Sequence, residues 1–163
     1  MKALLLIPFL LQSALCDPLK IPAFTAYLDP DPNGARVSEN DGITRWNKAE
    51  NQIKWYGQLK KTGELSVQVR LTLKKDEKLN LRLDFGDSSK KLSLSGTGDS
   101  MLADFGKFAV TKTGYHTFAL SSPAPGGKIE ELVLGGAPVK EAHFNMKPRR
   151  NSASVHLSYP IER

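Results

Sequence analysis

Leu65, Val67, Val69, Leu71 and Leu73 alternate without a break with Ser66, Gln68, Arg70 and Thr72. A period of two sends every second side chain to the same face of an extended chain, so this segment is a strand with one dry face and one wet face. After the charged turn Lys74-Lys75-Asp76-Glu77 the alternation resumes, with Leu79, Leu81, Leu83 and Phe85 inward and Asn80, Arg82 and Asp84 outward. Two such runs joined by a short polar turn predict a β-hairpin whose inward residues form one buried layer. Leu92 and Leu94, following the turn Gly86-Asp87-Ser88-Ser89, extend it to a meander of at least three strands.

The same period runs upstream. Ile53, Trp55, Gly57 and Leu59 share one parity and Gln52, Lys54, Tyr56 and Gln58 the other, which places Trp55 inside and Tyr56 outside. Residues 108–110, 115–120 and 129–134 are further strand-length apolar segments bounded by turn residues. No stretch sustains the three-and-four spacing of a packed helix. The chain is therefore expected to be all-β, an antiparallel β-sandwich of about eight short strands, jelly-roll or galactose-binding-like, with a barrel as the alternative. Its longest irregular segments, residues 29–40 and 120–128, are polar, proline-bearing loops of the kind that carry function.

At the amino terminus Lys2 precedes an apolar run over residues 3–11 and a shorter stretch ending in Ala14-Leu15-Cys16. That order predicts a secretory signal peptide over residues 1–16, cleaved before Asp17-Pro18. The run is too short for a membrane-spanning helix, which needs about 20 residues. Lipidation of Cys16 is the competing reading, and bulky Leu15 in front of the cysteine argues against it. Export to a secreted or periplasmic location follows, with a lipoprotein as the lesser alternative. The expected mature chain has 163 − 16 = 147 residues, enough for a single domain over residues 17–163 with a strand-like tail. Cys16 is the single cysteine, so this chain forms no disulfide and offers no thiolate nucleophile.

The formal charge of +6 falls to +5 when Lys2 leaves, and the remaining cations are interleaved with acids except at Lys147-Pro148-Arg149-Arg150. A nucleic-acid binder would show a continuous basic face with aromatic stacking partners, so nucleic acid is not an expected partner. His116, His143 and His156 are scattered, with no two at metal-ligand spacing. The acids Asp41, Asp84, Asp87, Asp99, Glu130 and Glu131 read as solvent-facing charges rather than a glycosidase pair, so no enzyme is expected and no catalytic residue is nominated. No cofactor is implied. Calcium is weighed at Asp29-Pro30-Asp31-Pro32-Asn33-Gly34, where hard oxygen ligands are dense, but ordinary turn chemistry is the favoured reading there.

The ending Phe144-Asn145-Met146-Lys147-Pro148-Arg149-Arg150, continuing through Ser154-Val155-His156-Leu157-Ser158-Tyr159, resembles that of an extracellular family, domain of unknown function 5077. Ile21-Pro22-Ala23, Gly42-Ile43-Thr44-Arg45-Trp46, Thr62-Gly63-Glu64-Leu65 and Lys112-Thr113-Gly114-Tyr115 carry the resemblance across nearly all of the mature chain. It implies a carbohydrate-binding-like β-sandwich, often followed by domain of unknown function 3472, with no established catalytic residues. Asn151-Ser152-Ala153 departs from the Gly-Pro that usually follows the arginine pair.

Sugar binding asks for flat aromatic surfaces and planar polar groups that pair with hydroxyls. Gln68, Arg70, Asn80, Arg82 and Asp84 fall on what the hairpin makes one outer surface, and Tyr56 shares the outward parity. The expected ligand-binding residues are Trp46 and Tyr56 as stacking platforms and Arg70 and Arg82 as forked donors. The expected function is a secreted, non-catalytic carbohydrate-binding module for poly- or oligosaccharide. The alternative is an extracellular protein-interaction or assembly module, with Arg149, Arg150 and the tail at residues 155–159 docking a partner domain. Expressed with its own leader, the protein is predicted to start at Asp17 without lipid; intact-mass spectrometry showing a diacylated Cys16 at the terminus would reject this.

Overall fold

The computed structural model describes residues 17–147, so the signal segment, Cys16, Arg149, Arg150, His156 and the strand-like tail lie outside the described residues. Twelve strands form two six-stranded antiparallel sheets packed face to face. The first sheet contains β1 (Leu19–Pro22), β3 (Arg36–Ser38), β4 (Gly42–Thr44), β6 (Gly63–Thr72), β9 (Ser100–Val110) and β11 (Lys128–Gly135). The second contains β2 (Tyr27–Asp29), β5 (Gln52–Leu59), β7 (Lys78–Phe85), β8 (Ser88–Ser95), β10 (Gly114–Ser121) and β12 (His143–Phe144). The strand order is β3-β4-β11-β6-β9 in one and β12-β5-β10-β7-β8 in the other, with β1 also paired to β11 and β2 to β5. The sandwich inferred from alternation is the architecture found. The extra strands beyond about eight are two- to four-residue pairings, such as β3 within the expected loop at residues 29–40.

One pairing differs from the sequence expectation. β6 and β7 do not form a hairpin: β6 lies between β11 and β9 in the first sheet, and β7 lies between β10 and β8 in the second. The charged turn is a crossover between the sheets. Its backbone bonds explain why, because Asp76 N–H donates to Gly96 O at 2.9 Å, Gly96 N–H to Glu77 O at 2.8 Å, and Gly98 N–H to Leu73 O at 3.1 Å. The connection from β6 to β7 is thus laced to the connection from β8 to β9, which crosses back. A Cβ at Gly96 would sit 1.9 Å from Lys74 O, so glycine is required where the two crossovers touch.

Facing, not adjacent, layers therefore make the core. Val67, Val69 and Leu71 line the first sheet while Leu81, Leu83 and Phe85 line the second, and all are buried as their parity requires. Trp55 Nε1–H donates to Pro22 O, tying the start of the chain to β5. Phe85, Phe118 and Phe108 interlock across the interior, Phe85 stacking on Phe118 at 4.8 Å and meeting Phe108 edge-on at 5.8 Å. In β9 the inward parity changes between Phe105 and Phe108, because the register jumps from Ser66↔Lys107 to Gln68↔Asp104 and Gly106 takes φ 73°. This bulge keeps Ala103, Phe105, Phe108 and Val110 all inside.

Leu81 is 2 % exposed, whereas the Arg82 side chain beside it is 50 % exposed. Leu81→Ala is predicted to cost about 2–5 kcal/mol and Arg82→Ala much less. Urea melts in which the two substitutions prove equally harmful would reject the register.

Candidate functional site

The outward side chains of the second sheet form one polar surface whose layout follows from register. β10 runs down its middle with Tyr115, Thr117, Ala119 and Ser121 outward, and β5 and β7 flank it. Thr117 faces Tyr56, Ala119 faces both Lys54 and Asp84, and Ser121 faces Arg82. Small residues on the central strand between longer ones on its neighbours make a trough. At one end a cavity of about 550 Å³ is lined by Gln52, Asn80, Arg82, Lys91, Ser93 and Ser121. Along the middle, a second of about 400 Å³ runs past Gln52, Lys54, Asp84, Thr117 and Tyr115. Gln52 lines both.

The aromatic end is built by chain edges. Tyr56 meets Tyr27 edge-on, with ring centroids 5.4 Å apart, and Tyr115 stands 62 % exposed on β10. β12 pairs with β5 there, placing Phe144 opposite Gly57, where a Cβ would lie 2.2 Å from the Phe144 ring. Gly57 is thus the vacancy that lets Phe144 close the sheet edge beneath a cavity of about 220 Å³ lined by Tyr27, Tyr56, Tyr115, His143 and Asn145. Polar groups on the trough are partly preset. Arg82 Nε–H donates to Asp84 Oδ1 at 2.8 Å and Ser93 Oγ–H to Asn80 Oδ1 at 2.7 Å.

Of the four residues expected from sequence, the trough brings together Tyr56 and Arg82. Trp46 is corrected: it is 1 % exposed, its indole N–H donates to Asn51 O at 3.1 Å, and no ring face is left for a ligand. Arg70 is corrected as well. It projects from the outer face of the first sheet, on the far side of the sandwich, and its Nε–H is bonded to Glu131 Oε1 at 2.8 Å. Treating β6 and β7 as a hairpin is what had placed it beside Arg82. Tyr115, Gln52, Lys91 and Ser93 were not singled out from sequence. The signal for Tyr115 was available, since it shares parity with Thr117 and Ala119 and opposes the buried Phe118 and Leu120.

The two-layer antiparallel β-sandwich is a fold shared with carbohydrate-binding modules of known structure. The family 36 module (CBM36-1) of a multidomain xylanase from the hindgut metagenome of Trinervitermes trinervoides superimposes with a TM-score of 0.58 at 15 % identity, covering 76 % of this chain and 100 % of that one. The CBM35 of Cellvibrio japonicus Abf62 gives 0.58 at 13 % identity over 78 % and 97 %. A family 35 carbohydrate-binding module from Clostridium thermocellum gives 0.56 at 15 % over 75 % and 100 %. No curated protein matches by sequence. The chain belongs to the domain of unknown function 5077 family, whose model matches residues 21–139.

The acidic loop after β2 resolves into turn and ion-pair chemistry. Asp29 is paired with Lys54, and Asp31 with Lys48 at 2.6 Å. Buried Asn51 clamps the loop, its Oδ1 accepting from Asp31 N–H at 3.0 Å and its Nδ2 donating to Asp31 O at 2.9 Å. Among the described residues no group of three or more His, Cys, Asp or Glu side chains is placed to hold a metal. The Lys48 ammonium, and then the Asn33 N–H on Oδ1, hold the Asp31 carboxyl below its ordinary 3.8. A depressed carboxyl stabilises the fold above its unfolded value and loses that contribution as pH falls through its folded value. NMR titration is predicted to give Asp31 a midpoint below 3.8, returning toward 3.8 in Lys48→Ala; a native midpoint at or above 3.8 would show the pair is not held in solution.

Proposed function

We propose that this domain is an exported, non-catalytic carbohydrate-binding module that holds a poly- or oligosaccharide along the trough of the second sheet. The observation that carries the reading is the trough itself: a floor of Thr117, Ala119 and Ser121, with Tyr56 and Tyr115 at one end and Gln52, Asn80, Arg82 and Ser93 at the other. Tyrosine rings offer apolar faces to the C–H side of a pyranose, while amides and a guanidinium pair with neighbouring hydroxyls. The likeness of fold to family 35 and 36 modules supports the reading. So does the state of the acids beside the trough, since Asp84 is bonded to Arg82 and Asp29 to Lys54. Hydrolysis by a carboxylate pair needs one acid to give a proton and another to attack or activate water.

No helix among the described residues is long and apolar enough to cross a membrane, and the leader read over residues 1–16 supplies the proposed export. Each sugar hydrogen bond replaces one to water, at a net gain of about 0.5–1.5 kcal/mol, so dissociation constants in the micromolar to millimolar range are expected. Calorimetry against plant and microbial polysaccharides is predicted to show binding that weakens roughly two- to twelvefold in each of Tyr56→Ala and Arg82→Ala and is unchanged in Arg70→Ala. Binding indifferent to the first two substitutions rejects this face. A stable complex with a separate protein and no glycan binding would favour the interaction module.

A further inference from the structure

Resting on the module reading, we infer that the polar end of the trough selects an anionic glycan, one bearing a carboxylate or a sulfate ester, through Arg82 and Lys91. The β7–β8 register sets these two residues directly opposite each other, both on the outward face and both exposed. Directly opposed side chains in an antiparallel pair have Cβ atoms about 4.5–5.5 Å apart, and like charges there oppose folding. The protein compensates only part of this. Asp84 accepts from Arg82 Nε–H, leaving the two terminal amino groups of the guanidinium without a partner among the described residues. Beyond its backbone pairing in the ladder, the Lys91 side chain makes neither an ion pair nor a hydrogen bond among them. The cavity they line together contains amides and hydroxyls and is not lined by an acid.

The surrounding charges do not cancel the pair. On the outward positions of this sheet the cations are Lys54, Lys78, Arg82 and Lys91, and the acids are Asp29 and Asp84. Asp29 serves Lys54 and Asp84 serves Arg82, while Lys78 donates to the neutral Ser95 hydroxyl. Lys90 points the other way, its ammonium on Lys107 O and over the Phe108 ring. An anion seated between Arg82 and Lys91 relieves their repulsion and receives the forked donors of the one and the point charge of the other. Ser93, Asn80, Gln52 and Ser121 then surround it with groups suited to the hydroxyls of the same sugar.

The test is calorimetry at low and high salt with two matched pairs: polygalacturonate against its carboxyl-reduced form, and dextran sulfate against dextran. Tighter binding of either charged member than its neutral partner is expected, and which pair shows it identifies carboxylate or sulfate. Lys91→Gln should weaken the charged ligand about tenfold at low salt. Lys20→Gln, on the other sheet and exposed, should not. Equal losses in the two variants mean diffuse attraction to a polyanion and overturn the inference. Equal affinity for charged and neutral members overturns it too while leaving the module reading intact, and absence of binding to every glycan removes that reading as well.

Discussion

Each sheet has one way to dry its apolar face, and that is the other sheet. The inner faces hold Val67, Val69, Leu71, Ile129, Leu132 and Leu134 on one side and Ile53, Trp55, Leu81, Leu83, Phe118 and Leu120 on the other, all buried. Neither set could be buried by its own sheet alone, so the face-to-face contact is the condition for every strand pairing. The chain satisfies it by crossing from β6 to β7 into the second layer, folding back there as the β7–β8 pair, and crossing to β9 in the first. The crossovers at residues 73–77 and 96–98 are bonded to each other through backbone groups, which locks β6 and β9 into one layer and β7 and β8 into the other at one point.

This explains what the sequence disclosed and what it withheld. Alternation is a property of a single strand facing a single core, and it correctly sorted Leu65 to Phe85 into buried and exposed sets. It carries no information on which strand lies alongside, so a tight hairpin and a crossover read identically in residues 65–85. Parity also fails where a bulge resets it, which is why only the last three residues of β9 are legible in the sequence, the register shifting around Gly106 at φ 73°. Trp46 sits outside any strand and had no parity to read. Its indole N–H is satisfied in the interior by Asn51, whose backbone carbonyl accepts the bond while its side chain grips the Asp31 backbone.

The candidate site was half legible for the same reason. Tyr56 and Arg82 belong to strands whose outward parity was plain, and both strands entered the same sheet. Arg70 had equally plain parity and landed on the opposite face, 2.8 Å from Glu131. The grouping failed at the level of sheet membership while every individual inward or outward assignment along β6 and β7 held. Sheet membership depends on contacts far apart in sequence, such as Phe118↔Phe85 and Leu132↔Val69, which no local pattern encodes.

A binding face on strands differs physically from one on loops. The trough backbone is held on both sides by ladders, since β10 is bonded to β5 and to β7, so the spacing of Tyr56, Thr117, Asp84 and Arg82 is fixed before any ligand arrives. A ligand then pays little ordering cost beyond the outer side chains. The loop after β2 is instead consumed by its own bonds, with Asp31, Lys48 and Asn51 committed to one another and Asp29 to Lys54. The polar groups with capacity left over are therefore on the sheet. Among them the uncompensated charge is concentrated at one end, where Lys91 faces Arg82, and the aromatic surface at the other, where Tyr115 stands clear of the strand. On the proposed reading, that polarity along a rigid trough would give an elongated ligand a direction as well as a position, which an even scatter of the same residues could not do.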